Sequence, residues 1–203
     1  MAQVTKITFS KRELDVLNNS DFFVQKHIVT KKVVDLFSDL ERELEENISD
    51  YSYLNGFTNT STGKIFKGEN YRQLPYVVLD YPKHFSTDSV FTYRTMFWWG
   101  NEFSFTLHLQ GHALDHFRKT LLNNVNILKK KNVFVCINTK QWDYHFNNDN
   151  YQPLDELLKT ETLFEKIKDK NFIKLSRKIS LAKYKNLTKY GMETFELFMN
   201  AIE

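Results

Sequence analysis

Apolar and polar side chains alternate along three runs within residues 71–111, rich in Phe, Tyr and Trp, and this is the clearest pattern in the chain. A period of two sends successive side chains to opposite faces, so it predicts strands over residues 71–81, 90–98 and 103–110, joined at Pro82 and Gly100. Before these runs the period changes. Ile28, Val29, Val33, Leu36, Phe37, Leu40, Leu44 and Ile48 recur at three- and four-residue steps, which describes one apolar stripe on a long helix. Ser10 and Glu13 have the spacing of a capping box and predict a short helix over residues 11–18. Ser20 and Asp21 predict the start of the long one.

Residues 51–68 carry turn chemistry, with Asn55-Gly56, the stretch 59–63 and Lys67-Gly68 around a short strand at Ile65 and Phe66. A helix follows over residues 112–124, a strand over 132–138 and a turn at 147–150. Pro153 suits the first position of a helix reaching to near residue 168, with Asp155 and Glu156 in its acidic first turn. A strand is expected over residues 172–181. Leu187, Tyr190, Phe195, Phe198, Met199 and Ile202 then mark a closing helix.

Because the strands cluster in the middle of the chain, the predicted class is α+β. A central, largely antiparallel sheet would pack against the long N-terminal helix and the C-terminal helices, in a single domain over residues 1–203. Helices and strands do not alternate, and neither G-x-G-x-x-G nor a P-loop is present, so a nucleotide-binding parallel sheet is not expected.

Hairpin register decides which aromatic rings share a core, since a slip of one residue exchanges the two faces. A three-residue loop over residues 99–101 puts Phe91, Tyr93, Thr95 and Phe97 on one face with Phe103, Phe105, Leu107 and Leu109. A two-residue loop mixes apolar with polar on both faces, so the longer loop is expected. The opposite face then carries Thr92, Arg94, Met96 and Trp98 beside Glu102, Ser104, Thr106, His108 and Gln110, and the more polar parity of the preceding strand adds Arg72 and Asp80. In the plainest reading this face is the solvated side of a half-buried sheet. In the functional reading Arg72, Asp80, Arg94, Trp98 and His108 form a ligand site, where the guanidinium fork matches a carboxylate or phosphate.

His108, His112 and His116 recur every four residues, with Asp115 beside the last. Two histidines at such spacing on a helix can share a metal ion, so the three are a candidate metal set. The order H-x-x-D-H matches neither common zinc-protease motif, and His112 and His116 lie opposite the apolar stripe of Leu114, Phe117 and Leu121. No G-x-S-x-G elbow or known cysteine context flags a nucleophile, and no cofactor is expected.

Composition changes the picture only at the margins. With 203 residues, 41% hydrophobic and 26% charged, the chain has ordinary globular usage. The one cysteine, Cys136, lies in an apolar run and closes no intramolecular disulfide, which suits a reducing compartment. The first twenty residues lack the apolar core of a signal peptide, and the longest apolar runs are strand-sized, so a cytoplasmic protein with no membrane association is expected. Net charge is only +3, yet it is uneven. Residues 35–50 are acidic, and residues 166–189 are basic.

These features lead to a non-catalytic binding or regulatory module that uses the aromatic and Arg-bearing sheet face. Its expected partners are a small anionic ligand or a protein, including a second copy of the chain as a homodimer. The first alternative is an enzyme acting on a small anionic substrate with His108 and Arg94 in a pocket, with or without metal on the histidine series. Nucleic-acid binding through the basic segment 166–189 ranks last, because Lys greatly outnumbers Arg and the overall charge is small.

Overall fold

In the computed structural model, residues 6–57 and 63–203 are described. The turn expected over residues 59–63 therefore lies almost wholly outside them. The capping box forms as spaced: the Glu13 amide donates to Ser10 Oγ at 3.3 Å, and the Ser10 amide donates to the Glu13 carboxylate at 2.7 Å. It starts α1 (Lys11–Leu17). The next cap is Asn19, one residue before the expected start, and its side-chain oxygen accepts from the Phe22 amide at 3.0 Å to open α2 (Ser20–Asn47).

The sheet strands are β1 (Lys64–Tyr71), β2 (Leu74–Phe85), β3 (Ser89–Trp98) and β4 (Glu102–Gly111). After α3 (His112–Asn123) come β5 (Phe134–Cys136), β6 (Tyr151–Pro153), α4 (Leu154–Lys159), α5 (Leu163–Ile167), β7 (Phe172–Ser180) and α6 (Leu187–Ile202). Spatial order is β1-β2-β3-β4-β7-β5-β6 in one sheet, and every neighbouring pair is antiparallel. The α+β class is as expected. The hairpin register is too: Phe97 stands opposite Phe103 and Thr95 opposite Phe105.

Several boundaries differ for local reasons. Pro82 does not join two strands; it sits at an irregularity inside β2, where pairing shifts between Asp80 and Lys83, the usual place for a proline that cannot donate to a ladder. The β2–β3 turn comes later, closed by the Ser86 amide on the Ser89 carbonyl at 2.9 Å. Lys67 and Gly68, read as a turn, continue β1. The helix expected from Pro153 to near residue 168 is broken into α4 and α5, with Glu161 at φ 56° and the Thr160 hydroxyl bonded to the Glu156 carbonyl at 3.1 Å. Pro153 itself ends β6 and precedes the helix.

One face of the sheet carries the main core. Val77, Leu79, Tyr93, Phe97, Phe105 and Leu107 meet Phe37, Leu40 and Leu44 of α2 and Phe195, Phe198 and Met199 of α6, all buried in one cluster. Gly191 lets α6 come close. A Cβ there would lie 2.9 Å from a Leu40 methyl and 3.1 Å from the Phe105 ring. The Tyr93 hydroxyl donates to the Gly191 carbonyl at 2.6 Å, so the same approach satisfies a buried phenol. No described helix is long and apolar enough to cross a membrane.

Candidate functional site

The second face of the sheet is covered as well. Residues 137–150, between β5 and β6, cross it as an irregular strap, so the expected solvated side is a buried polar layer. Asp80, Thr92, Thr106, His108, Lys174 and Ser176 are all buried there. Antiparallel register explains how they meet. Asp80 pairs across β2–β3 with Arg94, and Thr92, His108 and Lys174 stand level on β3, β4 and β7. Continuing the β5–β7 register by one residue places Cys136 beside Lys174.

Asp80 and Arg94 form a bidentate ion pair, with Nε 2.7 Å from Oδ1 and Nη2 2.8 Å from Oδ2. The guanidinium lies over the Tyr144 ring at 4.8 Å. Burial opposes its charge, but Tyr144 and Asp80 outweigh burial and hold its pKa above the ordinary arginine range. Thr92 Oγ1 also donates to Asp80 at 3.4 Å, and Thr106 and Ser176 share a hydrogen bond of 2.8 Å.

His108 and Lys174 are both 0% exposed. His108 Nδ1 shares a 3.1 Å hydrogen bond with the Tyr144 hydroxyl, whereas Nε2 has no partner among the described residues. Burial first, then the charges of Lys174 and Arg94, push the imidazole pKa well below 6.5, so the ring is neutral. The Lys174 ammonium donates to the Asp143 carbonyl and lies 4.4 Å from the Tyr144 ring centre. Among the described residues no carboxylate is within ion-pair distance of it. Burial lowers its pKa to about 8, despite the opposing influence of Cys136 and Asp143.

The strap is tied down along its length. Tyr71 Oη accepts from the amides of Tyr144 and His145 at 2.6 and 3.0 Å, Lys170 donates to the Asn138 carbonyl, and the Asn150 side chain donates to the His145 carbonyl at 2.6 Å. Trp142 stacks edge-on to the His108 ring at 5.3 Å.

Of the residues predicted for a ligand site, Asp80, Arg94 and His108 are brought together beneath the strap. Trp98 is on the same face near Tyr71, donating to its carbonyl at 3.3 Å. Arg72 lies outside the buried layer, at its edge, where its charge still reaches Tyr71 and His145. It occupies the β1–β2 turn, exposed, with φ 51° beside Gln73 at 68°, since a two-residue hairpin turn needs left-handed backbone at both central positions. The histidine series is also dispersed. His112 is exposed at the start of α3, 3.1 Å from an Asp88 carboxylate oxygen, and His116 packs on the Phe57 ring at 5.2 Å, while His108 is buried under Trp142. Among the described residues no three His, Cys, Asp or Glu side chains gather as metal ligands.

The basic run 166–189 does not form one patch. Strand alternation buries Lys174 under the strap and sets Lys178 against Glu102 at 3.3 Å on that side, while Arg177 turns to the other, 4.2 Å from the Tyr190 ring centre. Lys174, Tyr144 and Tyr71 were not anticipated as members of the polar layer. The β4–β7 pairing that brings Lys174 to His108 spans more than sixty residues of chain, and nothing local encodes it.

A different surface is open. No residue of α1 is buried, and α2 buries only Val33, Phe37, Leu40 and Leu44, all beyond its first thirteen positions. An α-helix of 28 residues is about 42 Å long, so nearly half of it forms an arm past the main core. This arm mixes polar with large apolar side chains. Leu14, Leu17, Phe22, Phe23, Val24 and Ile28 are all exposed, Leu17 by 61% and Phe23 by 51%. Lys26 ties the arm to Glu69 of β1. At its base lies a half-open groove of about 530 Å³ between α2 and the β3–β4 hairpin, lined by Val29, Leu36, Phe97, Trp99, Phe103 and Tyr184. Comparison of the chain with protein-family models, with curated proteins and with solved structures finds no match.

Proposed function

We propose that this chain is a non-catalytic binding module that docks a protein surface on its N-terminal helical arm and the groove at the arm's base. One observation carries the reading: the first half of α2 and all of α1 expose large apolar side chains that no core among the described residues covers. Phe22, Phe23, Val24 and Ile28 stand exposed close together on this half of the helix, and clustered exposed apolar side chains mark interaction sites. The groove at the arm's base, lined by Val29, Leu36, Phe97, Trp99 and Phe103, continues that apolar surface, and an apolar groove beside an exposed helix suits docking of an amphipathic helix.

The sheet face favours the same conclusion. His108 and Arg94 would serve an anionic substrate only from the wall of a reachable pocket, whereas both lie under Trp142 and Tyr144. Their role in this reading is to fix the strap and stiffen the sheet. The buried thiol of Cys136 suits a reducing, cytoplasmic setting.

The docking reading has a simple stability test. A double variant, Phe23→Asp with Ile28→Asp, should unfold in urea within about 0.5 kcal/mol of the parent when both are dilute, because exposed positions contribute little to the isolated fold. A loss above about 2 kcal/mol, the size expected of a buried side chain, would show that the arm packs against its own chain and would end this reading.

A further inference from the structure

We infer that the occupant of the arm and groove is a second copy of this chain, with the two α2 helices antiparallel; this rests on the docking reading above. Charge is distributed unevenly along α2. Its first half carries Lys26, Lys31 and Lys32 with His27, against Asp21 alone, whereas its second half carries Asp35, Asp39, Glu41, Glu43, Glu45 and Glu46 against Arg42. No basic residue stands in its last turn. This order opposes the helix dipole, which favours acidic side chains near the N-terminus and basic ones near the C-terminus.

Contacts within the chain account for only part of the pattern. Lys26 pairs with Glu69 and Asp39 with Arg42, while Lys31, Lys32 and Asp35 are exposed and enter no ion pair among the described residues. An antiparallel copy resolves the conflict, because it places the basic half of each helix along the acidic half of the other. A parallel copy would set like against like. Under two-fold symmetry the complementary contact is made twice, and like-charge juxtaposition disfavours the wrong orientation.

Apolar surface and charge agree on the register. The groove is lined from α2 by Val29, Lys32, Val33, Asp35, Leu36 and Asp39, the stretch where base gives way to acid. A partner helix running the opposite way and crossing near Val34, the middle of that stretch, brings its own Ile28 and Val29 to the end of this groove. Its Lys31 and Lys32 then come alongside Asp35 and Asp39. The base of each copy's arm thus lies along the groove of the other.

Charge swapping tests this directly, using the full chain in low salt and mass measured by light scattering. The parent should be a dimer. Asp35→Lys with Asp39→Lys in one chain, or Lys31→Glu with Lys32→Glu in another, should each weaken self-association about tenfold or more, since removing attraction and adding repulsion costs at least the ~1.4 kcal/mol that a tenfold change represents. An equimolar mixture of the two variants should dimerise again, because every basic half then faces an acidic one. A dimer indifferent to both swaps, or a mixture that stays monomeric, overturns the antiparallel arrangement. A parent that remains monomeric while the Phe23→Asp and Ile28→Asp variant keeps full stability overturns the second copy as occupant but leaves the docking surface standing. Destabilisation by that variant removes the docking surface itself.

Discussion

Replacing Arg94 by alanine should destabilise the fold by about 3–5 kcal/mol, the range for breaking one side of a buried ion pair. The loss comes less from the attraction removed than from what remains. Asp80 is 3% exposed, and without the guanidinium its remaining side-chain donor is Thr92 at 3.4 Å. A buried carboxylate held so weakly is left largely uncompensated, and that costs free energy. The strap also loses the contact of Arg94 with Tyr144. Arg94→Lys should recover little, because an ammonium cannot reproduce the two parallel bonds to the carboxylate. The double variant Asp80→Leu with Arg94→Leu should be more stable than Arg94→Ala, since it leaves no unpaired charge. Urea unfolding followed by circular dichroism measures all three, and single-variant losses under about 1 kcal/mol would contradict a closed polar layer.

Lys174→Met should act in the opposite direction and stabilise the protein by about 1–2 kcal/mol at pH 7. Lys174 is ordinarily protonated to about 10.5, and burial first of all brings it to about 8 in the folded chain. Between these values the unfolded chain holds a proton that the folded chain does not, so parent stability rises with pH across that window. Below about pH 8 the full cost of burying the ammonium is present. Methionine removes this cost and packs its sulfur among Tyr144, Tyr151 and Phe172, although the Asp143 carbonyl loses a donor, which is why the expected gain is modest. Stability measured from pH 7 to pH 9.5 should climb for the parent and climb distinctly less for the variant, where Lys170, also lowered mainly by burial, is left to contribute. That range stops short of the ordinary tyrosine pKa, above which buried Tyr93 and Tyr144, both raised mainly by burial, favour the unfolded chain and reverse the trend. A parent curve that is flat or falls over the window would show Lys174 to be solvated.

The two predictions concern the part of the molecule that sequence reading described only halfway. Alternation along β3 and β4 was enough to sort Phe97 and Phe105 to one side and Arg94 and His108 to the other, because period two and burial together specify register. The same alternation also allowed the pairing of Asp80 with Arg94. What it could not supply was the covering of that second face. The strap is irregular, with Trp142, Tyr144 and Phe146 interspersed among Asn, Asp and His, so it has no periodicity to read, and polar residues on an alternating strand are normally taken as solvent-facing. Lys174 was grouped with its neighbours in a basic run, when its strand parity was the informative property. The dispersal of His108, His112 and His116 has a comparable cause. Gly111, at φ 58°, turns the chain from β4 into α3, so an interval of four residues that would align them on one helix spans two elements.

The arm shows the reverse case. Ile28 and Val29 belong to the apolar stripe of α2 by spacing, and the stripe was read as one surface for one core. In the folded chain Val33, Phe37, Leu40 and Leu44 are buried and Val34 and Leu36 are half-buried against the core, whereas Ile28 and Val29 stay exposed. Length of periodicity measures how much apolar surface a helix offers, and its own domain need not use all of it.

Hydroxyl-radical footprinting of the dilute protein, with modified side chains located by mass spectrometry, tests the central contrast between an open arm and a closed sheet face in one measurement. Phe22, Phe23 and Leu17 should be modified rapidly, while Tyr144, Tyr151 and His108 stay protected. Rapid modification of Tyr144 and His108 with a protected Phe22 and Phe23 would contradict the account, since it would place the reachable surface on the sheet and the buried one on the arm.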